Sequence, residues 1–173
     1  GAKKTDKLFL FTDNKEKVIQ FISSNKITNE IIISTLSHIQ DEKYDVIINA
    51  AGLGDPKTHK QKAFICNDKT EEIDNVVLNY ISEYKHTLYV YLSTGGIYSS
   101  DNNYSSARTD RIYTLNLDNI SLDRVYVLGK LRVEAKHRGY SNSRIVDIRI
   151  FGYISKFIDL YSGFLMADVF NCI

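Results

Sequence analysis

Short apolar runs alternate along this chain with longer segments of helical periodicity. The apolar runs are rich in β-branched and aromatic residues, which is typical of buried strands; they cover residues 7–12, 31–33, 45–50, 87–92 and 144–151. Apolar residues three and four positions apart predict helices at residues 15–24, 59–85 and 126–137. Strands that alternate with helices specify a parallel sheet with helices on both faces. The sequence therefore predicts an α/β fold.

Composition narrows the class of protein. The 173 residues are 43% hydrophobic and 25% charged, which fits one globular domain with a real core. A net charge of +1 does not favour a nucleic-acid partner or a basic membrane patch. No apolar run reaches the roughly 18–20 residues of a membrane span. Cys66, Cys172 and the four histidines show no metal-ligand spacing, so we expect reduced structural cysteines and surface histidines.

Polar or small residues follow several of the predicted strands. Asp13, residues 49–52, Ser93 with Thr94, and residues 149–152 all stand at predicted strand ends. Ligands of parallel sheets bind at the carboxyl ends of the strands. These clusters therefore predict one binding site along that edge, whereas residues 99–110 are a predicted surface loop.

Tyr126 and Lys130 are the strongest candidates for chemistry. Positions four apart share one face of a helix, so the ammonium can stabilise the phenolate and lower the tyrosine pKa from about 10. Such a tyrosine exchanges a proton with a carbinol or carbonyl oxygen, and the Thr94 hydroxyl can hold that oxygen. Together, these three side chains suit an enzyme that transfers a hydride to or from a nicotinamide. The structural alternatives are a core tyrosine, a solvated lysine and a turn threonine.

In their order, these elements resemble the extended short-chain dehydrogenase/reductase superfamily, in its NAD-dependent epimerase/dehydratase branch. Residues 45–52 look like the strand and loop that pass the cofactor, and residues 91–98 look like the strand with the catalytic Ser/Thr. Tyr126 and Lys130 match the YxxxK pair, and Glu134 matches a frequent acid one turn later. The resemblance spans residues 8–173 and implies a Rossmann-like fold.

The resemblance also implies roles for individual residues. The catalytic set is Thr94, Tyr126 and Lys130. The residues expected to contact the cofactor are Asp13, Asn49, Ala50, Ala51, Gly52, Asn67, Ser93, Lys130 and Phe151.

Three positions refine these expectations. Asp13 would bond the adenosine ribose and favour NAD over NADP, although a helix N-cap is an equal alternative. Gly95 and Gly96 stand where the family's dehydratases carry Asp-Glu, which favours epimerase or reductase chemistry. For Arg149 we expect a structural pairing with Asp147 or a loop carboxylate.

The family's opening strand and its G-x-x-G-x-x-G turn have no counterpart in this sequence. We therefore expect a truncated or degenerate member that is inactive as this chain. Residues 1–153 would form a partial NAD(P)-binding domain, incomplete at its N-terminus, and residues 154–173 the start of a substrate-binding region. Exposed apolar edges would favour a homodimer.

The resemblance implies a cytoplasmic NAD-dependent epimerase or reductase that acts on a nucleotide sugar for polysaccharide biosynthesis. It implies no nucleic-acid or membrane partner. The alternative is a non-catalytic Rossmann-type module that binds a nucleotide or another protein. Mutation of Tyr126 separates these hypotheses, because only the enzyme depends on its hydroxyl.

Overall fold

A computed structural model describes residues 6–52, 56–100, 122–141 and 143–150. The predicted contribution of Phe151, the predicted loop beyond residue 100 and the predicted region 154–173 lie outside these ranges. No helix in the described part of the chain is long and apolar enough to cross a membrane.

The predicted elements form close to their predicted positions. The strands of the described ranges are β1 (Leu8–Phe11), β2 (Ile31–Ser34), β3 (Val46–Asn49), β4 (Leu88–Thr94) and β5 (Arg144–Ile150). The α-helices there are α1 (Lys15–Ser24), α2 (Pro56–Glu83) and α3 (Leu122–His137). Two 3-10 helices, Leu36–Asp41 and Gly95–Ser100, were not predicted. The second, Gly95–Ser100, follows β4 directly. For this segment the sequence indicated a turn and then a loop instead of a helix.

All the described strands pair in parallel. β1 pairs with β2, and β3, β4 and β5 form a three-stranded sheet with β4 in its centre. The chain divides into two compact units, Gly1–Lys43 and Tyr44–Ile173, with one sheet in each. This architecture confirms the predicted α/β, Rossmann-like fold.

In the first unit, Asn14 fixes the start of α1, whereas the N-cap alternative from the sequence was Asp13. Asn14 is the N-cap, and its side-chain oxygen accepts a hydrogen bond of 3.0 Å from the Lys17 amide. The Thr12 hydroxyl in turn accepts from the Asn14 amide at 3.1 Å. The N-cap alternative for Asp13 is therefore wrong, because the next residue supplies the cap.

In the second unit, α2 and α3 pack against each other and α3 packs on β4. Their shared interior is apolar and aromatic; it includes Val77, Leu78, Tyr80, Ile81, Tyr89, Tyr91, Val125, Val127 and Val133. Alternate residues of a strand point to opposite faces. The tyrosines of β4 therefore belong to the helix-covered face, and Leu88, Val90 and Leu92 belong to the other.

Candidate active site

The ends of β3 and β4 and the first half of α3 bring three predicted residues together at Gly52. A Cβ placed on Gly52 would lie 3.3 Å from Lys130 Nζ and 3.7 Å from Tyr126 Oη. The phenol and the ammonium therefore converge on one point of the backbone after β3. Gly52 leaves that point open, as a close approach of a ligand to the backbone requires.

Lys130 is held in place by backbone carbonyls. Its side chain is buried, and Nζ donates to the carbonyl oxygens of Ala51 at 2.8 Å and Leu92 at 3.0 Å. Nζ also lies 4.6 Å from the centre of the Tyr91 ring, a cation–π distance. An ammonium has three donors, so these two carbonyls leave one N–H for a ligand hydroxyl.

Burial also shifts the titration of Lys130. Removal of the ammonium from water lowers the pKa to about 8, although the Asp74 carboxylate acts in the opposite direction. The lysine therefore remains mainly charged at neutral pH. Its Nζ lies 5.9 Å from the centre of the half-buried Tyr126 ring. The expected effect of this cation on the tyrosine pKa stays a prediction.

Thr94 ends β4 beside a glycine that the local packing requires. The Thr94 hydroxyl oxygen accepts a hydrogen bond of 3.0 Å from the Gly96 amide, so its own hydrogen can serve a substrate oxygen. A Cβ on Gly96 would lie 3.2 Å from both Thr94 Oγ1 and Val127 Cγ2. Glycine at this position therefore lets α3 approach the end of β4.

Three predicted cofactor contacts are engaged inside the protein scaffold. Asn49 donates to the Tyr89 hydroxyl oxygen at 2.9 Å and accepts from the Ala51 amide at 2.9 Å. The Ser93 hydroxyl donates to Glu134 at 2.6 Å. Asn67 donates to the Val125 carbonyl at 2.7 Å. Contacts of these three residues with a cofactor stay predictions.

Asn67 also explains a glycine within α3. A Cβ on Gly129 would clash with the Asn67 side-chain amide. The absence of a side chain at Gly129 therefore lets α2 and α3 approach each other where Asn67 joins them. The sequence alone gave no signal for this pairing of residues 62 positions apart.

Glu134 connects α3 to β4 and β5 through hydrogen bonds with Ser93 and Arg149. It is fully buried and accepts from Arg149 Nη2 at 2.6 Å, and Arg149 Nη1 donates to the Tyr98 hydroxyl at 2.9 Å. Burial opposes ionisation of Glu134, but hydrogen bonds from Arg149, Ser93 and Arg138 outweigh it and lower the pKa. The expected pairing of Arg149 with Asp147 or a loop residue is therefore wrong, since the partner is on α3.

His137 is also placed differently from the prediction. Its side chain is 2% exposed, and its ring lies between Asp74 on α2 and Asp147 on β5. Burial favours the neutral ring, but the two carboxylates prevail and raise the pKa to about 9. A signal was present in the sequence: His137 lies seven residues after Lys130, on the same face of the helix.

The remaining predicted contacts lie on the surface or in the first unit. Ala50 and Gly52 are exposed, and Ala51 is half-buried. Asp13 is exposed at the end of β1, in an open depression whose lining also includes Thr12, Asn14, Lys15, Glu16 and Thr35.

The site geometry fits part of a nicotinamide dinucleotide. The open point at Gly52 is the space that a ligand needs next to Lys130 and Tyr126. The remaining Lys130 donor suits a ribose hydroxyl, and the Thr94 and Tyr126 hydroxyls suit the oxygen of a substrate carbinol. Within the described ranges, no group of three or more His, Cys, Asp or Glu side chains is arranged to hold a metal ion.

Comparison with known proteins gives one positive result. The sequence model of the NAD dependent epimerase/dehydratase family matches residues 12–157, which is most of the chain. No curated protein matches this sequence.

Proposed function

This chain belongs to the NAD dependent epimerase/dehydratase family, and we propose that it serves as a nucleotide-sugar epimerase or reductase that uses NAD. Enzymes of this family depend on NAD(P). The observation that carries the proposal is the convergence of Lys130 Nζ and Tyr126 Oη at Gly52. A phenol and a cation at one open point of the strand edge support a role for Tyr126 as the acid/base group.

Each residue has a separate task in this proposal. NAD, when bound, supplies the hydride chemistry. Tyr126 exchanges a proton with the reacting oxygen of the sugar, and Thr94 holds that oxygen by donating its hydroxyl hydrogen. Lys130 keeps its charge near the phenol and gives its remaining N–H to the nicotinamide ribose. The two backbone carbonyls fix the ammonium, so little reorganisation is needed during the reaction.

Two further positions set the reaction class and the choice of cofactor. Gly95 and Gly96 bring no carboxylate to the segment after Thr94, which supports epimerase or reductase chemistry over dehydration. Asp13 is exposed at the end of β1, and we propose for it the role on the adenosine ribose that the family resemblance implies. A carboxylate there repels a 2′-phosphate and favours NAD over NADP.

The test is turnover of nucleotide sugars. Because this chain is expected to be inactive, a version extended upstream with a glycine-rich turn is incubated beside it with NAD⁺ or NADH and a panel of uridine, guanosine and thymidine diphosphate sugars, and NMR follows the sugar configuration. An epimerase converts sugar without net change in nicotinamide absorbance, whereas a reductase consumes NADH in proportion to product. Tyr126→Phe should reduce turnover about 10²- to 10⁴-fold, the usual contribution of an acid/base group, and should leave NAD binding unchanged.

Lys85→Met is the matched control, because Lys85 is an exposed lysine in the same unit. It should leave both turnover and binding as they are. Dinucleotide binding without any sugar conversion would support the non-catalytic module instead. Turnover that does not depend on Tyr126 would contradict the proposed mechanism.

A further inference from the structure

Two charged residues on the same face of α3 are connected by a chain of hydrogen bonds through α2, β4 and the end of β3. Lys130 and His137 lie seven residues apart, or about two helical turns. Both side chains are buried. Lys130 belongs to the candidate active site, whereas nothing in the proposed function uses His137.

The first half of the connection runs from α3 through α2 to the sheet. Asp74 Oδ1 on α2 lies 2.8 Å from His137 Nε2, and it accepts the Tyr89 hydroxyl at 2.8 Å. The Tyr89 oxygen accepts the side-chain amide of Asn49 at 2.9 Å. Asp74, Tyr89 and Asn49 are all buried, so water does not compete for these contacts.

The second half runs along the end of β3 to the lysine. Asn49 Oδ1 accepts the Ala51 amide at 2.9 Å. The carbonyl of Ala51 then accepts Lys130 Nζ at 2.8 Å. The Asn49 side chain therefore fixes the amide of Ala51, the residue whose carbonyl holds the active-site ammonium.

In this chain of hydrogen bonds, the donor or acceptor role of each group follows from the role of the partner on its other side. Both nitrogens of His137 face carboxylates, Asp74 and Asp147, so the ring carries both protons and each N–H donates. Tyr89 has a single hydrogen, which goes to Asp74, so Asn49 must turn its NH₂ group to the phenol. Its carbonyl oxygen is then the end that faces Ala51.

Other charged and titratable groups complete the surroundings of His137. The rings of Tyr89 and Tyr91 on β4 contact the imidazole edge to face, each with its centre 5.3 Å away. Lys136 Nζ lies 3.1 Å from Asp74 Oδ2 and shares that carboxylate. Asp74 is thus ionised between two cations and the Tyr89 hydroxyl, which makes it a fixed acceptor.

We propose that His137 is a positioning residue that sets the location of Lys130 through Asp74, Tyr89, Asn49 and the Ala51 carbonyl. The inference rests on the proposed function, because that function makes Lys130 the lysine at the cofactor. His137 itself touches neither the cofactor nor the substrate. Its effect on the site passes through the hydrogen bonds, so cutting any of them should weaken the Ala51 contact, one of the two carbonyl contacts that hold the ammonium.

The test measures the reactivity of the Lys130 amine in the full chain without a cofactor. Competitive acetylation with acetic anhydride over a pH series, followed by mass spectrometry, compares Lys130 with the exposed Lys85 in the same sample. His137→Gln removes the imidazolium, and Tyr89→Phe removes only the central hydroxyl. At pH values above both midpoints, where the amine is neutral in every sample, Lys130 acetylation should be about fivefold faster in both variants, in line with the loss of one hydrogen bond's net stabilisation. The midpoint should move from about 8 towards that of an ordinary lysine.

Thr87→Val is the matched control. The fully buried Thr87 hydroxyl donates to the Tyr44 carbonyl at 2.7 Å, outside the connection to Lys130. It should leave Lys130 reactivity unchanged even if it lowers stability. Wild-type reactivity in a folded Tyr89→Phe variant, or an equal rise in Thr87→Val, would overturn the proposal, and Tyr89→Phe decides alone if His137→Gln does not fold. Because no nucleotide is present, failure of NAD binding is a separate result.

Discussion

The two faces of the β3–β4–β5 sheet use residues of the same strands in opposite ways. On the helix-covered face, polar Asn49, Tyr89 and Ser93 are buried. On the other face, Val46, Ile48, Val146 and Ile148 are between 44% and 64% exposed in this structure. Burial therefore follows the available partners more closely than it follows the polarity of the side chain.

The two faces of the sheet differ in how precisely their side chains must be positioned. A buried polar group is tolerated only when it is hydrogen-bonded, and its partners must then keep one geometry. The helix-covered face meets this condition through the hydrogen bonds of His137 and Glu134. The apolar side chains described on the other face cannot make such directional contacts, so substitutions of them should matter much less.

The largest effect is expected from His137→Phe. This change keeps a ring of similar size but leaves the buried Asp74 and the half-buried Asp147 without the cation between them. Loss of one partner from a buried charged cluster costs on the order of 3–5 kcal/mol. Urea unfolding should show this loss in the free energy of unfolding, and a loss below about 1 kcal/mol would contradict the role given to the cluster.

Glu134→Gln should have the next largest effect. The amide keeps the shape of the carboxylate but removes the charge that Arg149 needs, and it also weakens the contact with Ser93. We expect a loss of about 2 kcal/mol, the usual contribution of a hydrogen bond to a charged group. Arg138→Gln, which changes an exposed partner of the same carboxylate, is the control and should cost less than about 0.5 kcal/mol.

The pH dependence of stability should reveal His137 directly. Its folded pKa of about 9 is above the ordinary 6.5, so the folded state holds an extra proton between these values. This stabilisation is complete below about pH 6.5 and is lost as the pH rises through about 9, by on the order of 2 kcal/mol. Lys130 works in the opposite direction above about pH 8 because its folded pKa is lowered.

Thermal unfolding in overlapping buffers from pH 6 to pH 9 would measure this dependence. The decline should be present in the wild type and absent in His137→Phe. A decline of equal size in that variant would assign the effect to other groups.

The smallest effect is expected on the apolar face. Ile48 is 64% exposed, so Ile48→Thr removes little buried surface and keeps a β-branched residue in β3. The free energy of unfolding should change by less than about 0.5 kcal/mol. A loss comparable to that of Glu134→Gln would mean that this face is covered in the folded protein and would remove the contrast between the faces.

Much of the fold could be predicted from local pattern. The apolar runs and helical periodicity located every strand and α-helix of the described ranges, because burial on one or both faces imposes those periods on the sequence. The helix spacing also indicated that Tyr126 and Lys130 share a face. The 3-10 helices carried no comparable pattern and were missed.

The supporting contacts could not be predicted because they join residues distant in the sequence. Glu134 and Arg149 meet only after β5 aligns with β4, and His137 meets Asp74 only after α2 packs on α3. The residue type of a histidine does not predict burial, since histidine is intermediate in its exposure; for His137 the available signal was its helical spacing from Lys130. For Asp13, only the N-cap alternative could be decided, because Asn14 caps α1; its role at a cofactor stays a prediction.

The most direct test of the central claim is calorimetric titration of this chain and its Lys130→Met variant with NAD⁺ and NADP⁺. The account predicts that the wild type binds NAD⁺ more tightly than NADP⁺. Lys130→Met, checked for folding by thermal unfolding, should weaken NAD⁺ binding about tenfold or more, because a hydrogen bond from a charged donor is lost. Absence of dinucleotide binding by the wild type, or equal NAD⁺ affinity in the variant, would contradict a nicotinamide site at Gly52, Tyr126 and Lys130.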